Sequence, residues 1–540
     1  MEFLRRLALP TLLVTTFACA GDEPAAQPTA DEAFEVLTTG SKLRGANGLM
    51  FGPDGRLYQT SVVTPAVAVI DPETGEFLET WGPEQGARGP DDIAFGPDGS
   101  AYWTDISIGE VVRRMPDGEW KVIANLGAGV NPITFSDDGR LFVSQCFMDT
   151  GLYELDPDGV DPPRSIRDDL GPGCGLNGMD WGPDDKLYGP RWFRGEVVRV
   201  DVDSGEMETV ADGFQVPAAL KFDSQGRLHV LDSLAGEILR VDTESGDKEV
   251  VGRATPGLDN IAFDAEDRLF FASFADGFVA EVLSPEENRI LSPGGINMPG
   301  GIAYRDGQLF LADFFALRSL DAATGEITRS ERDVIGFSEL GSSMSVQLAG
   351  EGLILTSWFD NAVRLWDPST RSLLGKFDIE LPIDALTIEG DVVVSQWAAG
   401  QVVRFSPDAP EEREVLLSDL SGAAGLATQA GALYVTDQVA GTLTKVEGGE
   451  ATTVATELSG PEGVAVGEDG TVYVVEAEAG RVSAIDGGGN RTTLAEGLEL
   501  QVPATGAFPK TMLFNGIALG DGVLYVSGDR ANSLYTIDLE

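Results

Sequence analysis

One phrase is written again and again along this chain, and no other feature restricts the fold as much. "NGLMFGPDGRLYQT" begins at Asn47, "DDIAFGPDGSAYWTD" at Asp91, "NPITFSDDGRLFVSQ" at Asn131 and "NGMDWGPDDKLYG" at Asn177. "AALKFDSQGRLHVLD" follows from Ala218 and "DNIAFDAEDRLFFAS" from Asp259. The series continues with "GGIAYRDGQLFLAD" from Gly300, "MSVQLAGEGLILTS" from Met344 and a weaker copy, "DALTIEGDVVVSQ", from Asp384. "AGLATQAGALYVTD", "EGVAVGEDGTVYVVE" and "NGIALGDGVLYVSG" complete it from Ala424, Glu462 and Asn515. About twelve copies at a spacing of about 40 residues fall in the range of propeller blades.

Each unit predicts four strands of period two. In the unit from Asn177 these are "GMDW", "KLYG", "EVVRVD" and "EMETVA", joined by turn sequences such as "GPDD" and "VDSG". A lone four-stranded sheet cannot bury both faces, so such units stack around an axis and close into a ring. Twelve short blades predict an all-β chain of two tandem six-bladed propellers, one over 40–296 and one over 297–540.

The first 39 residues read differently. Arg5 and Arg6 precede a short apolar run from Leu7 to Phe17, too short for a comfortable membrane span. "TFACAGDE" then resembles a bacterial lipoprotein signal, which makes 1–19 a signal peptide and Cys19 the lipidated residue. Residues 20–39, rich in Ala, Pro and acid at their start, read as a flexible tether. The expected location is therefore outside the cytoplasm, on a membrane through the lipid alone. The formal net charge is -51, with 88 acidic against 37 basic residues. Such a field repels nucleic acid and anionic surfaces and attracts cations.

The repeats resemble the NHL type and the six-bladed group that contains senescence marker protein/gluconolactonase, strictosidine synthase and paraoxonase. The resemblance spans nearly the whole chain and speaks to fold more than to function. The position that opens each inner strand sits at the channel mouth. In the first ring it holds Asn47, Asp91, Asn131, Asn177, Ala218 and Asp259, and in the second Gly300, Met344, Ile383, Ala424, Glu462 and Asn515. Five of the first six carry a side-chain oxygen, against two of the second. Asn and Asp are also good turn residues, which is the plainer reading of any one of them. Together, Asn47, Asp91, Asn131, Asn177 and Asp259 are an expected site for a divalent cation, calcium first, since calcium takes six to eight oxygens. "LNGMDW" from Leu176 matches the motif of a metal-binding Asn in gluconolactonase-like proteins, and "DNIAFD" from Asp259 resembles the Asp-Asn-Ile of paraoxonase-like calcium sites. Two departures stand: no Glu lies near "ANGLMF", and Ala218 occupies a place where a ligand Asp is expected.

Catalysis by histidine is nearly excluded, because the chain has one His. His229 occupies a packing position that sister blades fill with Tyr or Phe. Hydrolysis would rest on a cation and a carboxylate base. Asp259 is the leading candidate, with Asp105 and Asp232 at second-strand ends as alternatives. After the second strands lie Trp192, Phe274, Phe314, Trp358 and Trp397, an expected aromatic rim for a sugar or another flat ligand. An insertion from Leu500 to Gly516 leads into the last blade. Cys146 and Cys174 either pair or remain two buried thiols. The leading function is a gluconolactonase-like, calcium-dependent lactone or ester hydrolase with its site in the first ring. The rival is a non-catalytic NHL-type propeller that holds a protein or glycan.

Overall fold

The computed structural model describes residues 33–147, 149–171, 173–501 and 513–539. The expected signal peptide, Cys19 and most of the expected tether lie outside the described residues. The repeats fold as twelve four-stranded antiparallel sheets, each a meander of consecutive strands except the last. We number the sheets as blades 1–12. In blade 1 the strands are Ala46–Phe51, Leu57–Ser61, Ala66–Ile70 and Phe77–Trp81, from axis to rim. "GPDG" makes the first hairpin: Asp54 accepts from the amide of Arg56 at 3.1 Å, and Gly55 takes φ 76°. Blade 4 writes "GPDD" and holds Asp185 at φ 56° in the same place, a conformation that costs a non-glycine residue energy.

Neighbouring blades bury the alternating residues against each other. Tyr58, Val69 and Trp81 of blade 1 pack with Ile93 and Trp103 of blade 2, and Phe142 stacks on Trp181 at 5.5 Å between blades 3 and 4. The inner strand of blade 1 also packs on that of blade 6, Leu258–Phe263, through Leu49, Ala262 and Phe270, which closes ring one at six blades. The inner strand of blade 7, Ile302–Arg305, packs likewise on that of blade 12, Ile517–Gly520, and closes ring two.

The rings close differently. Ring one is sealed by side chains between blades whose strands are all consecutive. In blade 12 the outermost strand is Glu35–Thr39, which pairs antiparallel with Ser533–Asp538 from the other end of the chain. Residues 35–39, expected to be tether, are therefore a strand of the second ring. The described residues start in ring two, cross to ring one at Gly40–Gly45 and return after Ser292. The two crossings lie together: the amide of Ser41 donates to Ile296 O at 2.8 Å, and Asn532 Nδ2 donates to Ser41 O and Ile296 O, both at 2.9 Å. A Cβ at Gly40 would stand 2.1 Å from Ile296 O, so only glycine allows this approach.

The rings meet through the faces that carry the loops into the inner strands and the loops after the second strands. One apolar cluster joins Trp192, Val216, Leu258 and Phe274 of ring one to Phe314, Phe315, Val334 and Met344 of ring two. Trp192 Nε1 donates to Ile335 O at 3.1 Å, and Phe193 stacks on Phe337 at 5.7 Å. At the centre of the seam Arg318, 1% exposed, binds Asp313 of its own blade and Asp276 of ring one at 3.0 Å.

Candidate functional site

The inner strands of ring one do not run straight into the channel mouth. Register shifts separate Ala46 from Leu49, Pro90 from Ile93, Val130 from Ile133, Pro217 from Ala219 and Leu258 from Ile261. Each such bulge takes the mouth residue out of the ladder with its neighbour, and bulges are commonly used to re-aim side chains. The carbonyl freed in this way is claimed by the preceding blade. Thr60 Oγ1 donates to Asp91 O, and Thr104 Oγ1 to Asn131 O. The same device recurs in ring two, where Thr356 reaches Ile383 O at 2.6 Å and Thr436 reaches Glu462 O at 2.7 Å. Asn177 is held by its amide, which donates to Pro190 O at 2.9 Å, and its Oδ1 accepts from Gly178 N at 3.1 Å.

Asp91, Asn131 and Asn177 are buried, and Asn47 and Asp259 are half-buried. Among the described residues no hydrogen bond reaches the carboxylate of Asp91 or Asp259. Burial pushes Asp259 up to about 8, helped by the charge of Asp92. Burial also drives Asp91 well above the usual carboxylate range, with Asp259 and Asp92 adding to it. Among the described residues no three His, Cys, Asp or Glu side chains stand together as a metal site. A cation at this mouth would thus depend on two acids and on the amide oxygens of Asn47, Asn131 and Asn177, an all-oxygen set that suits a hard cation.

Below the mouth the channel is charged. Asp92 accepts from Ile93 N at 2.9 Å, from Asn260 Nδ2 at 3.1 Å and from Ile133 N at 3.1 Å. Lys221 donates to Met179 O at 3.0 Å and stands 3.8 Å from Asp180. Burial raises Asp180, and Lys221 opposes that shift. Reading only the first residue of each inner strand missed Asp92, Asp180 and Lys221, and Asn260 entered only as part of "DNIAFD". The doubled acid of "DDIAF" was the available signal.

The alternative bases do other work. Asp232 accepts from Gln215 N at 2.7 Å and Val216 N at 2.9 Å, which clamps the loop into its own inner strand. Asp313 binds Asn297 N at 2.9 Å, Asp437 binds Ser421 N at 2.7 Å and Glu476 binds Ser459 N at 2.8 Å in the same way. An acid at the end of a second strand thus recurs as a loop clamp in both rings, Asp232 among them. Asp105 occupies the equivalent place, fully buried, where the amides of Arg88 and Gly89 face it without closing a hydrogen bond of good geometry. Burial pushes it up to about 7, Arg88 opposing and Glu110 assisting. An acid raised in the folded state keeps a proton that the unfolded chain has lost, so its contribution to stability falls as pH rises from about 4 to about 7. Asp105→Asn is therefore expected to raise the melting temperature at pH 8 and leave it nearly unchanged at pH 4. The scale is up to ~1.4 kcal/mol per unit of pKa. Equal effects at both pH values would contradict the assignment.

Trp192, Phe274 and Phe314 are buried between the rings, with Trp358 packed against the same cluster. They form a seam, which corrects the expected open rim. Trp397 lies on ring two, where Nε1 donates to Gln438 Oε1 at 3.0 Å. Gln438 Nε2 donates to Glu462 at 2.9 Å, and the amide and side chain of Asn515 donate to Glu462 at 2.6 and 2.7 Å. Burial, then the charge of Asp529, pushes Glu462 up to about 8. Phe514, from the insertion before blade 12, packs on Ile383 and Ala424 at the mouth of ring two. Residues 502–512 of that insertion lie outside the described residues. His229 is buried, with Nδ1 3.0 Å from Arg227 O and 4.0 Å from Asp223, and packs edge-on to Phe263 at 4.9 Å, in keeping with a core position. Cys146 and Cys174 form a disulfide beside Trp192 at the seam.

Fold and site define a class: a protein of two six-bladed propellers joined mouth face to mouth face, with an acidic channel mouth in the first. Solved structures similar to it include a catalytically inactive virginiamycin B lyase from Staphylococcus aureus with quinupristin (16% identity, 56% of this chain and 98% of that chain, TM-score 0.38). Others are the extracellular domains of BT4673 (12% identity, 90% and 69%, TM-score 0.33) and BT3049 (9% identity, 92% and 82%, TM-score 0.35) from B. thetaiotaomicron. No protein-family model and no curated protein matches the chain. No described helix is long and apolar enough to cross a membrane.

Proposed function

We propose that the mouth of ring one holds a divalent cation, calcium before others. On this reading the protein is an exported, lipid-anchored hydrolase of small lactones or esters. One observation carries it: Asp91 and Asp259 share a mouth and each is pushed up by burial and neighbouring acids, yet no described group donates to either. By contrast, the buried acids Asp92, Asp232, Asp313, Asp437, Glu462 and Glu476 are each held by backbone or side-chain donors. A cation is the missing partner that would satisfy both acids at once. When bound it would supply Lewis acidity at an ester or lactone carbonyl. Asn47, Asn131 and Asn177 would orient it through amide oxygens. Asp259 would serve as both ligand and carboxylate base.

The test is turnover of a panel of neutral lactones and aryl esters by the full chain, in calcium and in EDTA. Hydrolysis that needs calcium and is lost in Asp259→Ala is expected. No turnover in calcium, or turnover indifferent to EDTA, would overturn the hydrolase. A second reading, a non-catalytic protein that binds a glycan or protein partner, is favoured by the burial of the ring-one loops beneath Phe314 and Phe315. Calcium binding without turnover would favour it.

A further inference from the structure

We propose that Asp92 is a positioning residue that aligns the cation-binding mouth of ring one, an inference that rests on the cation reading above. Its carboxylate touches three blades. Oδ2 accepts from Ile133 N of blade 3 at 3.1 Å, and Oδ1 accepts from Asn260 Nδ2 of blade 6 at 3.1 Å and from Ile93 N of its own strand at 2.9 Å. Each contact lies next to a mouth oxygen. Asp91 precedes Asp92, Asp259 precedes Asn260, and Asn131 lies two residues before Ile133. Blade 1 stands between blades 2 and 6, and its backbone makes room for the crossing. A Cβ on Gly48 would fall 2.6 Å from Asp92 Cα and 2.7 Å from Asp92 Oδ1, so glycine after Asn47 lets the inner strand of blade 2, and Asp92 with it, come this close, as Gly301 and Gly425 do for their neighbours in ring two.

Ring two contains a natural control. Asp384 holds the same place in blade 9 and makes the same two backbone bonds, to Ala385 N and Leu426 N, both at 2.9 Å. Its remaining partners are Ser345 at 2.8 Å and Gln347 at 2.7 Å, from the blade just before it. The mouth above it carries Met344, Ile383 and Ala424. The backbone clasp is therefore common to both rings, while the reach across a whole blade to Asn260 belongs to the ring with the acidic mouth. Groups that orient metal ligands are typically worth about 10–100-fold in affinity.

The experiment is calorimetric titration of the full chain with calcium chloride for wild type, Asp92→Asn, Asn260→Ala and Asp384→Asn, with melting temperatures in EDTA for each. Expected is a calcium Kd raised about tenfold or more in Asp92→Asn and Asn260→Ala. Asp384→Asn should lose thermal stability to a similar degree while its Kd stays within about twofold of wild type. Unchanged affinity in the folded Asp92→Asn and Asn260→Ala proteins would overturn the proposal and leave the cation reading intact. So would an equal loss of affinity in Asp384→Asn, which would reduce Asp92 to a general clasp. If Asp92→Asn does not fold, Asn260→Ala decides, because it removes the cross-blade bond and a local bond to Ile261 N at 2.9 Å while leaving Asp92 with its two backbone donors. Failure of the wild type to bind calcium would overturn the cation reading and this proposal with it.

Discussion

Arg318→Ala is expected to cost about 3–5 kcal/mol, the usual penalty for removing one partner of a buried ion pair. Arg318 is 1% exposed and has no route to water. Its guanidinium binds Asp313, Asp276 at 3.0 Å, Ser330 Oγ at 2.9 Å and Ala275 O at 2.8 Å. Removing it strands Asp313 beneath the seam and leaves Asp276 with Arg332 at 2.7 Å as its remaining ion pair. Because Asp276 and Ala275 belong to ring one, the loss falls on the contact between rings as well as on blade 7. Equilibrium urea unfolding should therefore show a lower first midpoint and two separated steps. Arg318→Lys should rescue little, since a lysine cannot offer the planar fork that meets several acceptors at once. A variant within about 1 kcal/mol of wild type, the size of a surface substitution effect, would contradict this account of the seam.

Deleting residues 33–39 is the second large effect. The segment forms the rim strand of blade 12, pairing Glu35 with Thr536 and Thr39 with Ser533, and Phe34 meets Tyr535 edge-on at 5.4 Å. Its loss removes several backbone hydrogen bonds, each worth about 1 kcal/mol net, and bares the edge of Ser533–Asp538. An exposed edge of this kind invites pairing with another chain. Ring two should then unfold at lower denaturant, or aggregate, while a protease-resistant core spanning the blades of ring one survives. Limited proteolysis with mass mapping of the products checks this. An unchanged midpoint and cleavage pattern would mean that the segment is the tether its position suggests.

The blades were legible because each is local: turn, alternation and spacing are written within about 40 residues. The closing strand was not, because "EVLTT" follows an acid- and proline-rich stretch and its partner lies near the other end of the chain. The aromatic positions were found correctly as loop residues. A residue that lines an open funnel and one that packs on a second ring carry the same local pattern, so burial between rings could not be read from it. The clamp role of Asp232 was available: "LHVLD", "LFLAD" and "LYVTD" end on the same acid in both rings, and recurrence away from the acidic mouth marks a structural part. The oxygen ring was legible as a difference between rings at one position. Asp92 and Asn260 were hidden one residue further on, where a bulge, not simple alternation, decides which side chains face the channel.

Thermal unfolding in a calcium titration tests most directly whether the oxygens of ring one hold a cation. A ligand that binds only the folded form stabilises it by RT ln(1 + [L]/Kd), about 2.7 kcal/mol at a hundredfold excess over Kd. The wild type is expected to gain melting temperature with calcium, with EDTA reversing the gain, and Asp259→Ala and Asn177→Ala are expected to lose most of it. Equal shifts in all three proteins, or no shift in the wild type, would contradict a cation centre at the mouth of ring one.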